Sequence, residues 1–229
     1  MKLRFFILIL PILAVIPVNS QEIVTAENYL KMVSDRYGSI RDYEAHIVIH
    51  SGSNEMIGNV SYLAPSFLRI DFTRPAEQVI VFNGELLTVY LPEYRTVLNQ
   101  TITPGRRSAS SSGASLASAQ GLALLSRNYV ASFVTGPDPV ALQGSPQEEV
   151  VKLRLARRNI SEGFREIILS ISPVSKTIRR IEGRTIADSL VQFDFTNIKT
   201  NLGIPEMRFI YDSPASANVY NNFLFREVD

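Results

Sequence analysis

Between Met56 and Leu98 the chain is a series of strand-length apolar segments cut by turn signals, reading MIGNVSYLAPSFLRIDFTRPAEQVIVFNGELLTVYLPEYRTVL. The breaks fall at Ala64-Pro65, Arg74-Pro75, Asn83-Gly84 and Leu91-Pro92. Each segment is rich in Ile, Val, Leu, Phe and Tyr, the composition of a pleated strand with one buried face. Asn83-Gly84 supplies the positive φ angles of a tight hairpin. Consecutive hairpins build an antiparallel meander, which can be wet on one face and apolar on the other. What fills the apolar face is then the functional question.

The flanking sequence extends this reading. Ala26, Tyr29, Leu30, Val33 and Tyr37 follow the spacing of one helical face, so a helix is expected over residues 23–37, with Gly38 as its stop. Tyr43, Ala45, Ile47 and Ile49 alternate with polar neighbours as a first strand. After a strand at 96–102 the pattern breaks. Residues 103–120 read TPGRRSASSSGASLASAQ, a composition that buries little apolar surface. Leu122, Leu125, Tyr129 and Phe133 then fit helical spacing within 121–134. Residues 103–134 are thus expected to form a loop and an amphipathic helix, either a surface loop with a core helix or a hinged cover over a cavity. Strands return at 150–156, 164–171, 177–182, 190–198 and 207–211. The expectation is one α+β domain over residues 21–229 with ten or eleven strands.

Composition excludes several functions. The first twenty residues carry Lys2 and Arg4, an apolar run from Phe5 to Val18 and a small residue at Ser20, the order of a cleaved signal peptide. The chain contains no Cys, so it cannot itself carry an acyl-cysteine anchor or a disulfide. Of 23 basic and 22 acidic residues, removal of Lys2 and Arg4 leaves 21 against 22. That balance does not suggest a nucleic-acid partner. One basic cluster exists, Lys152, Arg154, Arg157 and Arg158, and reads as a solvated face. His46 and His50 are the only histidines. Four residues apart on a strand, they stand roughly 13 Å from each other and cannot share a metal without an unusual bend. No metal site, cofactor site, Gly-x-Ser-x-Gly elbow, paired carboxylates or phosphate loop is evident, so the expectation is a binding protein and not an enzyme.

The succession of Tyr62-x-x-Pro65, the strand Leu68, Ile70, Phe72, then Pro75, Ile80-Val81, Asn83-Gly84 and Tyr90-x-Pro92 resembles the LolA-like family of periplasmic lipoprotein carriers. A second block, Val191, Phe193, Phe195, Asn197 and Asn201 to Pro205, fits the same family, with Phe209 and Pro214 continuing it. The resemblance implies an unclosed antiparallel half-barrel whose apolar face is covered by helices. It implies a monomer in the periplasm that accepts the acyl chains of a lipoprotein from an inner-membrane ABC transporter and passes them to an outer-membrane receptor. It places Leu68, Ile70 and Phe72 on the cavity wall, with Ile47, Ile49, Ile80, Phe82, Leu87 and Val89 as neighbouring candidates, and Leu122, Leu125, Tyr129 and Phe133 on the lid. From the residues alone, these apolar rows fit a filled core as well as a cavity wall. On the cavity reading, Phe72→Glu is expected to abolish acyl-chain binding and leave the fold largely intact. A sensing module of the same shape that binds a membrane partner is the other reading. The sequence departs from the family at Ala64, where well-studied members carry an arginine that helps hold the lid. Arg69 and Arg74 are the candidate replacements.

Overall fold

The structure, a computed structural model, describes residues 24–102 and 116–223. The expected signal peptide, most of segment 103–120 and the last six residues lie outside the described part. Helix α1 (Ala26–Gly38) starts where the sequence provides a cap. The Thr25 hydroxyl accepts the Asn28 N–H at 3.2 Å, and Glu27 lies in the first turn, at the positive end of the helix dipole. Its buried residues are Ala26, Tyr29, Leu30, Val33 and Tyr37, the face expected from the spacing.

Six strands follow: β1 (Asp42–Ser51), β2 (Asn54–Leu63), β3 (Phe67–Arg74), β4 (Val79–Phe82), β5 (Leu86–Leu91) and β6 (Thr96–Thr101). Helix α2 (Ala119–Asn128) leads into β7 (Tyr129–Phe133), β8 (Val140–Leu142), β9 (Ser145–Arg157), β10 (Phe164–Ile171), β11 (Ile178–Thr185), β12 (Leu190–Thr200) and β13 (Asn218–Asn221). They make one open sheet in the order β13-β6-β5-β4-β3-β2-β1-β12-β11-β10-β9-β7, with β8 added on β9. All pairings are antiparallel except β13 on β6. Among the described residues the strand count is thirteen rather than ten or eleven. The expected strand over 207–211 is corrected: Glu206–Phe209 is a single 3-10 turn, with no ladder partner for Ile210 and Tyr211.

The expected helix over 121–134 is corrected. It ends at Asn128, and Tyr129 to Phe133 is a strand paired with β9, Tyr129 opposite Arg157 and Phe133 opposite Leu153. A spacing of four is even, so Tyr129 and Phe133 share a face in a strand as well as in a helix. The ladder offered by β9 decides between the two.

Ladder partners point to the same side of the sheet, and this fixes the two faces. On the inner face, both helices pack over Ile47, Val60, Leu68, Ile70, Leu153, Leu169 and Phe195 in one continuous core. Gly58 occupies an inner-face position where β2 and β3 approach closely; a Cβ there would stand 2.5 Å from the Asp71 carbonyl oxygen. The outer face is polar over most of the sheet, with pairs such as Arg180–Asp194 at 2.5 Å and Arg154–Glu166 at 3.2 Å.

Candidate functional site: apolar rows beside the helices

The inner face divides into two parts. Under α1 and α2 the side chains are buried: Ile47, Ile49, Leu68, Ile70 and Phe72 belong to the closed core. Farther along the sheet the same rows continue across β4, β5 and β6. Ile70 faces Ile80, Ile80 faces Val89, and Val89 faces Leu98. In the next row Leu68 faces Phe82, Phe82 faces Leu87, and Leu87 faces Gln100. Here Ile80, Phe82, Leu87, Val89 and Leu98 are only half-buried. Leaving up to about a third of an apolar side chain in water forgoes roughly 0.5–1 kcal/mol of the 1.5–3 that full burial gives. The rows therefore carry unspent apolar surface, all on one side.

The other side of the same strands is sealed. Residues 201–217 cross it as an arm, and Phe209 packs on Val79 and Val81 with Ile204, Tyr90 and Tyr211 around them. Asp42 ties the arm's start, accepting the Leu202 N–H at 2.6 Å and the Gly203 N–H at 3.1 Å. Farther along, Arg69 donates to the carbonyls of Arg208 and Ile210 at 3.1 and 3.2 Å, and Asp71 pairs with Arg69 at 2.9 Å and with Arg208 at 2.5 Å. Burial works to raise the Asp71 carboxyl, but hydrogen bonds and charge from Arg69 and Arg208 outweigh it and hold it below the ordinary carboxylate value.

Neither candidate latch holds a lid. Arg69 points to the outer face and secures the arm, because it alternates with Leu68 and Ile70. Arg74 pairs with Glu55 at 2.7 Å. The tie to the α2 side comes from Tyr43, whose hydroxyl donates to the Ala117 carbonyl at 3.0 Å in a buried setting. Burial, with the Tyr37 and Tyr62 hydroxyls beside it, pushes the Tyr43 hydroxyl well above the ordinary tyrosine value, so it stays a protonated donor at neutral pH. Next along the chain, Ser118 caps α2 by accepting the Gly121 N–H at 3.0 Å.

The candidate residues thus separate. Five of the nine proposed wall residues are core, and Ile80, Phe82, Leu87 and Val89 remain partly accessible. Leu122 and Leu125 are buried on α2, Tyr129 is buried on β7, and Phe133 packs edge-on to Tyr29 with ring centroids 6.0 Å apart. Phe72 is unsuited to the charge test, since a carboxylate in the core would unfold the chain before it reported on binding. Leu98 is an accessible wall residue the sequence reading missed. Continuing the alternation through β6 to the register of Val89 would have found it. Among the described residues no group of three or more metal-ligating side chains forms, and no helix is long and apolar enough to cross a membrane.

The sequence model of the family described as outer membrane lipoprotein carrier protein LolA matches residues 50–212. A crystal structure of an uncharacterized conserved protein from Thermus thermophilus superposes with a TM-score of 0.53 at 14% identity, covering 83% of this chain and 98% of that one. A crystal structure of MucB gives a TM-score of 0.50 at 14% identity over 85% of this chain. Against MucB this chain spans 64% of the length, under two thirds. No curated protein matches in sequence. At such identities the structural likenesses concern the fold.

Proposed function

The chain belongs to the LolA family, and from that premise we propose that it is a periplasmic carrier that shelters the acyl chains of lipoproteins. It takes them from an inner-membrane ABC transporter and gives them up at the outer membrane, to a receptor where one exists. The observation that carries this reading is the half-buried inner row Ile80, Phe82, Leu87, Val89 and Leu98, next to a closed core and backed by a sealed outer face. A lipid chain exposed to water loses about 0.8 kcal/mol per CH₂ relative to burial, so several chains need a wall of this kind to travel through an aqueous compartment. The wall is partial, which limits affinity and lets cargo leave.

The test is native mass spectrometry of the chain purified without detergent from its exporting host. The parent is expected to carry lipoprotein or acyl lipid, and Val89→Glu to carry at least tenfold less, since a carboxylate would then line the contact. Val89 is half-buried, so this variant should keep its circular dichroism spectrum. A folded Val89→Glu protein loaded like the parent would overturn the site. A parent that carries no amphiphile and instead holds a membrane-protein ectodomain would favour the sensing module.

A further inference from the structure

One end of the sheet brings hairpin tips together away from the apolar rows. The turn at 158–163 joins β9 to β10, and the turn at 186–189 joins β11 to β12. They are neighbours because Phe164 at the start of β10 pairs with Thr185 at the end of β11. The C-terminal end of α2 arrives at the same end, since Tyr129 pairs with Arg157.

These tips present apolar side chains to water. Ile160 is 86% exposed, Ile186 56% and Leu190 44%. A single exposed isoleucine is ordinary; isoleucines at the points of two adjacent turns within a basic ring are not. The ring is Arg127, Arg157, Arg158, Arg165 and Arg184, all exposed except the half-buried Arg157. Against these five stand three carboxylates. Glu162 and Asp188 are on the tips, Asp188 already pairing with Arg165 at 3.8 Å and Arg184 at 3.4 Å. Glu166 lies opposite Arg184 in the ladder and is paired with Arg154 at 3.2 Å. At the same end of the β3–β6 half Arg74 is paired with Glu55 and the turns carry Glu77, Glu93 and Arg95, so the excess of positive charge at this end lies at this corner. The tips are fixed by hydrogen bonds of their own. Arg157 donates to the Ile160 carbonyl at 3.3 Å, and the Thr185 N–H donates to the Ser189 carbonyl at 2.9 Å.

We propose that this corner docks on an anionic phospholipid surface, with Ile160, Ile186 and Leu190 entering the interfacial layer and the arginines binding headgroup phosphates. Apolar points flanked by guanidinium groups match a bilayer interface, which is apolar below and negatively charged above. The points stand on separate turns, and a fluid lipid layer can meet separate points without a shared groove. The inference goes beyond the carrier reading, because it needs neither cargo nor transporter.

The experiment is co-sedimentation of the purified chain with protein-free vesicles of phosphatidylcholine, alone or mixed with phosphatidylglycerol. Parent and variants are used in exported form, without the signal peptide expected at 1–20, so the apolar run at 5–18 does not itself bind vesicles. The parent is expected to sediment with the mixed vesicles and not with pure phosphatidylcholine. The pair Ile160→Ser with Ile186→Ser should lower partitioning about tenfold. The pair Arg165→Gln with Arg184→Gln should lower it by about fivefold per arginine. Val174→Ser alters a residue 91% exposed on the 172–177 turn at the opposite end and should bind like the parent. All these positions are exposed, and unchanged thermal midpoints would confirm folding. Absence of sedimentation, equal binding to neutral vesicles, or tip variants that bind like the parent would overturn the proposal. So would binding to native membranes that protease treatment of those membranes abolishes, which would assign the corner to a protein. Because the vesicles contain no lipoprotein, failure here leaves the acyl-chain reading standing.

Discussion

Tyr43→Phe removes a single oxygen from the contact between the sheet and the segment that begins α2. The ring keeps its place, stacked on Tyr62 with centroids 5.2 Å apart and edge-on to Tyr37 at 6.4 Å. What is lost is the hydroxyl donor to the Ala117 carbonyl, at 3.0 Å and buried. An unpaired buried acceptor costs about 1–3 kcal/mol. If the loss stays local, the opening equilibrium of residues 116–128 rises by about 5- to 150-fold, and the Gly121 and Leu122 amides report it, since both are held by Ser118. Hydrogen exchange read by mass spectrometry on peptides covering 116–128 measures this, with α1 as the internal reference. Urea unfolding gives the global loss separately. Unchanged exchange in α2 would refute the latch. So would an increase no larger than that of α1, because the bond would then serve general stability rather than the attachment of this segment.

Two further outcomes follow from the geometry of β2 and β3. Gly58→Ala should lower stability by about 1–3 kcal/mol in urea, because its Cβ would meet backbone, the Asp71 carbonyl at 2.5 Å and the Phe72 Cα at 3.0 Å. Gly183→Ala should be milder, since it meets the Phe164 ring, which can turn; equal effects would contradict this account. The depressed Asp71 carboxyl adds stability that is complete above the ordinary carboxylate value of about 4 and is lost as pH falls through its lower folded value. Thermal midpoints measured into acid should therefore fall less steeply for Asp71→Asn than for the parent, and parallel slopes would exclude the clamp as the cause.

Much of the fold was legible because its signals are local. The α1 face and the alternation through β1 to β6 need only neighbours within a few residues. β13 could not be read this way. Asn218 to Asn221 is exposed and carries no apolar face, and it is a strand because β6 offers an edge. The ambiguity at Tyr129 to Phe133 is arithmetic, since even spacing satisfies both periods. At the site, parity puts Ile70 and Ile80 on one face, yet one is 1% exposed and the other half-buried. That difference depends on how far the helices reach across the sheet, which no local pattern encodes. The role of Arg69 was partly within reach. Its alternation with Leu68 and Ile70 already turns it away from the inner face, although its partner on the arm lies 139 residues away.

The proposed roles constrain each other. A wall that enclosed every CH₂ of several acyl chains would hold tens of kcal/mol and never release them. The half-buried rows on β4 to β6 offer less, and the core under the helices offers nothing unless α2 moves. Leu122 and Leu125 are the α2 side chains buried in that core. On the carrier reading, movement of α2 would add to the accessible wall, and the Tyr43 hydrogen bond, worth a few kcal/mol at most, would be the contact to break. The arginine corner belongs to the β9–β12 half and the C-terminal end of α2, away from β4 to β6. A chain resting on a bilayer by that corner would leave its apolar rows unobstructed, so docking and loading would not compete for one surface.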